Sequence, residues 1–147
     1  MITETEPKGF KASFGSTGIY IIHDGKALFL KRKEQDDGFQ GTWGTPGGKI
    51  DEEAGETPED NIIREVMEET GINIERRRLV YALKSYVTYP KYRFTYHIFT
   101  YSIGKKPRVV LSDEHSEFLW IRPDEALKLR LILDEDWCIK KAFGIKQ

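Results

Sequence analysis

Between residues 19 and 30 apolar side chains fill two short consecutive runs, Ile19, Tyr20, Ile21, Ile22 and then Ala27, Leu28, Phe29, Leu30, separated by His23, Asp24, Gly25 and Lys26. Successive side chains of a strand point to opposite faces, so runs with no polar phase need cover on both faces. Asp24-Gly25 supplies the positive φ values of a two-residue primed turn, and the segment therefore predicts a hairpin. A sheet that is apolar on both faces is expected to lie between helices, which makes the expected fold class α/β in the α+β sense, an α/β/α sandwich around a mixed central sheet.

The pattern then changes period. At 57–70, Thr57 is placed to cap a helix, Pro58 suits its first position, and Glu59 and Asp60 fall in the first turn, where acids are favoured. Ile63, Val66 and Met67 recur at helical spacing and form its expected apolar side. Residues 79–89 and 92–103, rich in Tyr, Phe, Val and Thr, read as a long β pair turning near Pro90-Lys91. "SEFLWI" predicts a short strand, "RPDEALKL" opens a helix, and a last helix covers about 134–143 before Gly144, with Trp137 and Phe143 as packing residues.

Bulk properties narrow the class. The chain has 147 residues, enough for one domain with a real core, so residues 1–147 are expected to form a single domain. A formal net charge of −1 gives no global attraction to nucleic acid or membrane, although a local basic patch is compatible with it. Cys138 is the only cysteine, which excludes an intrachain disulfide and points to a reducing compartment. The start "MITETEPKGF" has neither a basic nor an apolar leader region, and no apolar run approaches a membrane span. The expectation is a cytoplasmic protein, a monomer or homodimer without membrane contact.

One stretch conflicts with helix energetics. "REVMEETG" places Glu65, Glu68 and Glu69 at i, i+3 and i+4, on one face, just before the stop signal Gly71. Like charges at that spacing cost roughly 0.2–0.5 kcal/mol per pair, and acids near a helix C-terminus oppose the macrodipole. A divalent cation among the carboxylates would reverse both penalties. Read on its own, the stretch is equally compatible with a solvated acidic face, so the flanking sequence decides.

That flank is "GTWGTPGGKIDEEAGETPEDNII". Together with "REVMEETGI" it resembles the Nudix hydrolase family, in a small MutT-like form. The family signature runs Gly, five residues, Glu, seven residues, then Arg-Glu-apolar-x-Glu-Glu-x-Gly-apolar, matched by Glu56, Arg64, Glu65, Val66, Glu68, Glu69, Gly71 and Ile72. One departure stands out: seven residues, "KIDEEAG", separate Gly48 from Glu56 where the signature has five, which predicts a bulged loop beside an intact site and leaves the placement of Lys49 and Asp51 open.

The resemblance implies a Mg²⁺- or Mn²⁺-dependent pyrophosphohydrolase acting on a nucleoside diphosphate linked to a group X, with Glu65, Glu68, Glu69 and the Gly47 carbonyl as metal ligands and Glu56 as a supporting one. Hard cations take oxygen donors, and attack of water on a diphosphate needs charge neutralisation, so the residue types agree. Arg64 is implied to orient the helix carboxylates, and a general base is expected from "SDEHSEF": Glu117 first, Glu114 second, His115 third. Arg32 and Lys49 are expected to reach substrate phosphates, and Phe39 and Tyr86, with Tyr89, Tyr92 and Phe94 nearby, could stack on a base. The leading substrates are (deoxy)nucleoside triphosphates or a triphosphate at an RNA 5′ end. The runner-up is a nucleotide sugar, because "EHSEF" resembles the segment around the catalytic histidine of GDP-mannose hydrolases. A binding module of the same fold that does not cleave its nucleotide is the alternative from another class.

Overall fold

The computed structural model describes residues 1–33 and 41–146. Strand β1 (Ile2–Thr3) is followed by β2 (Phe14–His23), β3 (Lys26–Arg32) and β4 (Trp43–Gly44). Helix α1 (Pro58–Thr70) leads to β5 (Val80–Thr88), β6 (Arg93–Ser102) and β7 (His115–Ile121). Helices α2 (Pro123–Ala126) and α3 (Glu135–Phe143) complete the order. The sheet is mixed, in the order β1-β5-β6-β2-β3-β4 with β7 on β3, and its parallel pairing joins β2 to β6.

The hairpin forms with Asp24 and Gly25 at φ 51° and 75°, yet its strands soon part. β2 and β3 pair at Ile22↔Ala27 and His23↔Lys26 only. Further along, β4 takes over that edge of β3 at Leu30 and Lys31, while β7 covers the other edge. The chain after β4 then lines the opened cleft, with Thr17 N donating to Gly48 O at 2.9 Å and Ile19 N to Pro46 O at 3.1 Å. These bonds satisfy strand groups that the parting of the hairpin would otherwise leave unpaired. They also bring the glycine segment against the middle of the sheet.

Strand alternation separates two apolar layers, as expected. Ile19, Ile21, Leu28, Leu30, Phe99 and Tyr101 pack toward α1, through Ile62 and Val66. On the opposite face Tyr20, Ala27, Phe29 and Ile98 pack with Ala126, Cys138 and Ile139 of α2 and α3, where Trp137 and Phe143 also lie. No described helix is long and apolar enough to cross a membrane.

Two details of the helices differ from expectation. The buried face of α1 carries Asn61, Ile62, Val66, Glu69 and Thr70, whereas Met67 is 46 % exposed and Ile63 is only partly buried. The helix is thus rotated so that part of its acidic stripe turns inward, because Asn61 is fastened to the glycine segment. The helix after "RP" is a single turn rather than the longer segment the composition suggested.

Candidate active site

The site is built around the entry to α1. Thr57 Oγ1 accepts from Asp60 N and Asp60 Oδ2 accepts from Thr57 N, a reciprocal cap that fixes the first turn. Glu56, immediately before the cap, accepts from Asp51 N at 2.8 Å, Asn61 Nδ2 at 2.9 Å and Arg64 Nε at 2.7 Å. The Arg64 hydrogen bond is the chief reason that its carboxyl falls to about 2. The two extra residues of the preceding loop are absorbed in a tight turn closed by Glu56 N to Asp51 O at 3.1 Å and Gly55 N to Glu52 O at 3.0 Å. The loop bulges and the Glu56 contacts survive, as the sequence suggested.

Arg64 ties the acids together. Its Nη1 donates to both Glu68 oxygens, at 3.0 and 3.1 Å, and lies 3.2 Å from Glu65 Oε1. One guanidinium therefore spans Glu56, Glu65 and Glu68, and this shared contact offsets the like-charge repulsion along the helix. Glu69 is different. It is 5 % exposed, accepts from Gly47 N at 3.2 Å, and shares a hydrogen bond with Glu65. Burial raises both carboxyls, and the charge of Glu114 raises them further. Among the described residues no three acidic, imidazole or thiol groups converge on one point, because Glu56 and Glu68 are held by Arg64.

The glycines set the approach. A Cβ on Gly48 would lie 2.6 Å from the Glu65 carboxylate, and one on Gly47, whose φ is 153°, would lie 2.0 Å from Thr17 O. Only glycine permits this closeness. Asn61, fully buried, joins the pieces: Nδ2 also donates to Lys49 O at 2.9 Å and Oδ1 accepts from Thr17 Oγ1 at 2.5 Å. Sequence reasoning passed over Asn61. Its spacing of three, four and seven residues from Arg64, Glu65 and Glu68, which puts it on their face of the helix, was the available signal.

Beside these groups opens a cavity of about 440 Å³. Gly47, Gly48, Glu65 and Glu69 form one wall, Arg32, Lys49, Glu114 and His115 border it, and Phe94, Tyr96, Asp134, Glu135 and Cys138 line the remainder. Glu117, the first candidate for general base, is instead a half-exposed residue paired with Lys31 at 3.2 Å and does not line the cavity. The register explains this: Glu117 lies opposite Lys31 within β7, whereas Glu114 precedes the strand. Tyr86 also lies elsewhere, edge-on to Phe10 with Lys84 over its ring. Of the aromatic candidates for stacking, Phe94 reaches the cavity, and Phe39 falls outside the described residues.

His115 is buried, its Nδ1 has no hydrogen-bond partner among the described residues, and desolvation with the charge of Arg32 lowers its pKa to about 4. At the inner end Tyr20 Oη donates to Glu135 Oε1 at 2.6 Å, and burial raises that carboxyl to about 7. Tyr89 Oη donates to Asp134 Oδ2 at 2.9 Å. Asp134 and Glu135 were not singled out from the sequence, where they fall at the start of the expected last helix.

The residues present fit a hard divalent cation. Glu65 and Glu69 share a hydrogen bond, and burial raises the proton affinity of both, a cost that a divalent cation between them would offset. The backbone of Gly47 and Gly48 adjoins them with no side chain between, and the donors that these four residues offer a cation are oxygen.

Comparison with known proteins agrees with this arrangement. The family model for the NUDIX domain matches residues 14–142. A MutT-like protein of Streptomyces ambofaciens is 41 % identical over 63 residues, covering 43 % of this chain and 36 % of that protein. An RNA pyrophosphohydrolase of Mannheimia succiniciproducens is 36 % identical over 106 residues, covering 67 % of this chain and 50 % of its own. The chain thus spans half or less of the length of these curated relatives. A crystal structure of a MutT NUDIX hydrolase from Burkholderia pseudomallei superposes with a TM-score of 0.71 at 27 % identity, over 87 % of this chain and 96 % of that one. With Gly48, Glu65 and Glu69 of the signature lining one cavity and the family model matching residues 14–142, this chain belongs to the Nudix family.

Proposed function

We propose that residues 14–142 act as one catalytic domain, a hydrolase that cleaves the phosphoanhydride of a nucleoside diphosphate linked to X. A (deoxy)nucleoside triphosphate or a triphosphate at an RNA 5′ end is the preferred substrate. The observation that carries this reading is the close approach of the Gly47-Gly48 backbone to Glu65 and Glu69 in the wall of the cavity, which supports a place for a cation and a polyphosphate. Names borne by the relatives, MutT-like protein and RNA pyrophosphohydrolase, support the same class.

Glu65, Glu68, Glu69 and the Gly47 carbonyl would hold Mg²⁺ or Mn²⁺. Bound there, the ion neutralises phosphate charge and polarises phosphorus toward water. Glu56 serves Arg64 rather than the ion, since each of its oxygens already accepts from a neighbour. Arg32 and Lys49, at the border of the cavity, bind the phosphates. Glu114 takes the place expected for Glu117 as the base that accepts the proton of the attacking water. His115, whose pKa burial and the charge of Arg32 lower to about 4, lines the cavity as a neutral imidazole near pH 7.

The test is a panel of nucleoside triphosphates, dinucleoside polyphosphates, nucleotide sugars and 5′-triphosphorylated RNA with Mg²⁺, scored by product, followed by hydrolysis in H₂¹⁸O to locate the attacked phosphorus. Cleavage of triphosphates, with label entering the phosphate product, is expected. Turnover confined to nucleotide sugars would remove the proposed substrate class. A panel left wholly intact would favour a binding module.

A further inference from the structure

The near-neutral net charge of the chain conceals a strong segregation. Two basic runs of the sequence, Arg76-Arg77-Arg78 and Lys105-Lys106 with Arg108, lie far apart along the chain, and the β5–β6 pairing brings them together. Val80 sits opposite Thr100, so the chain before β5 meets the chain after β6, and Arg78 Nη2 donates to Ser102 O at 2.6 Å. From there the line of cations crosses the end of the sheet. His23 Nδ1 is 3.3 Å from Ile103 O, and Lys26 pairs with His23 across the turn. Lys106 Nζ lies 5.9 Å from the ring centroid of Trp120 on β7.

Acids at this end are few and mostly engaged. Asp60 pairs with Arg76, Glu75 with Arg77 and Asp124 with Arg122, leaving Asp24 in the turn and Glu59, whose charge acts on Tyr81 at the start of β5. Among the described residues Lys26, Arg78, Lys105, Lys106 and Arg108 are exposed and have no ion-pair partner. The ridge runs over the ends of β5, β6, β2, β3 and β7, about 19 Å at roughly 4.8 Å per strand. Phosphates of a stacked single strand recur at about 3.4 Å, so the ridge matches several of them. Arg78 adds a planar fork suited to phosphate oxygens.

The cavity lies toward the other end of the same strands. Thr17 at the cavity and His23 at the ridge are ends of one stretch of β2, roughly 20 Å apart at about 3.3 Å per residue. The segment that carries Lys105, Lys106 and Arg108 continues past the end of α1, where Val110 N donates to Thr70 O at 2.9 Å, and delivers Glu114 and His115 to the cavity.

We propose that this end of the sheet is a docking surface for the phosphodiester backbone of single-stranded RNA. The strand bound there continues from a 5′ terminus held in the cavity; that second statement rests on the hydrolase reading, and the first does not. The ridge then distinguishes polymeric substrates from mononucleotides by contacts remote from the reacting phosphate.

Binding of a 3′-labelled, 5′-hydroxyl 12-nucleotide RNA, followed by fluorescence anisotropy, tests the surface without any turnover. Five cations predict about a hundredfold loss of affinity between 50 and 200 mM salt, and the double reversal K105E/K106E should cost more than about tenfold. The milder K105A/K106A, with melting curves for both, shows that the loss is not unfolding. Neither variant should change hydrolysis of a nucleoside triphosphate, while both should raise KM for a 5′-triphosphorylated 12-mer and leave that of the corresponding dinucleotide unaltered. RNA binding that is absent, or indifferent to the reversal, overturns the proposal. Charge-dependent binding to phosphatidylserine vesicles in place of RNA overturns it equally. A protein that binds the 12-mer as described and hydrolyses nothing would retain the surface and lose the hydrolase reading.

Discussion

At the scale of single residues, the site depends on what is missing as much as on what is present. Gly48 has no side chain because the Glu65 carboxylate already occupies that space, at 2.6 Å from where a Cβ would be. Gly48→Ala should therefore displace Glu65 and lower kcat by about a hundredfold or more, with a melting temperature within a few degrees of the parent. Steady-state kinetics beside calorimetry checks this, and an alanine variant of full activity would show that the close approach has no catalytic role. Glu68→Gln changes charge without changing shape and should lose most turnover, while Arg64→Lys should lose activity through misplaced carboxylates rather than through stability, since lysine cannot span three of them.

Glu135 offers a pH test away from the proposed metal ligands. Burial lifts its carboxyl from an ordinary 4.5 to about 7, so the folded state binds its proton more tightly than the unfolded state does. The resulting stability is fully present below about 4.5 and is lost as pH rises through 7. Glu135→Gln keeps an acceptor for Tyr20 Oη and cannot ionise. It should flatten the decline of melting temperature between pH 5 and 8 and raise the value at pH 8 by a few degrees. Parallel curves for parent and variant would show that Glu135 does not titrate in that window. Glu56 has the opposite sign: held near 2 by Arg64, it stabilises the fold above its unfolded value, and that contribution disappears as pH falls toward 2.

At the scale of elements, local chemistry was legible where it was dense. Asp24-Gly25 specified the turn, Thr57-Pro58 the start of α1, Gly71 its end, and aromatic and β-branched residues the β5–β6 pair. Thr57→Ala should cost about 1 kcal/mol by removing the cap, read as a lower denaturation midpoint with an unchanged slope. Three features could not be read locally. The parting of β2 from β3 goes with β4 and the segment after it taking the facing edges of the two strands, and no short-range pattern encodes it. β1 and β4, of two residues each, are too short to leave a periodic trace. The inward turn of Glu69 follows from Asn61 bonding to the glycine segment, a tertiary contact that overrides the apolar stripe suggested by Met67.

At the scale of the whole molecule, the sheet separates two kinds of surface. Its cleft end gathers the acids of α1, the glycine segment and a cavity, and its hairpin end gathers Lys26, Arg78, Lys105 and Lys106, which have no ion-pair partner among the described residues. The signature residues were legible because their chemistry requires fixed spacing on one helix and one loop. The choice of Glu114 over Glu117 depends on strand register, and the inner wall with Tyr96, Asp134 and Glu135 depends on α3 folding back under the sheet. The most direct measurement of the central claim is calorimetric titration of Mn²⁺ into the parent protein and into E65Q/E69Q, with a nucleoside triphosphate assayed in parallel. Saturable Mn²⁺ binding that accompanies hydrolysis, with both lost in the double variant, is the predicted result. A parent protein that takes up no Mn²⁺ and leaves the triphosphate whole, or a double variant that matches it in both respects, would contradict the assignment.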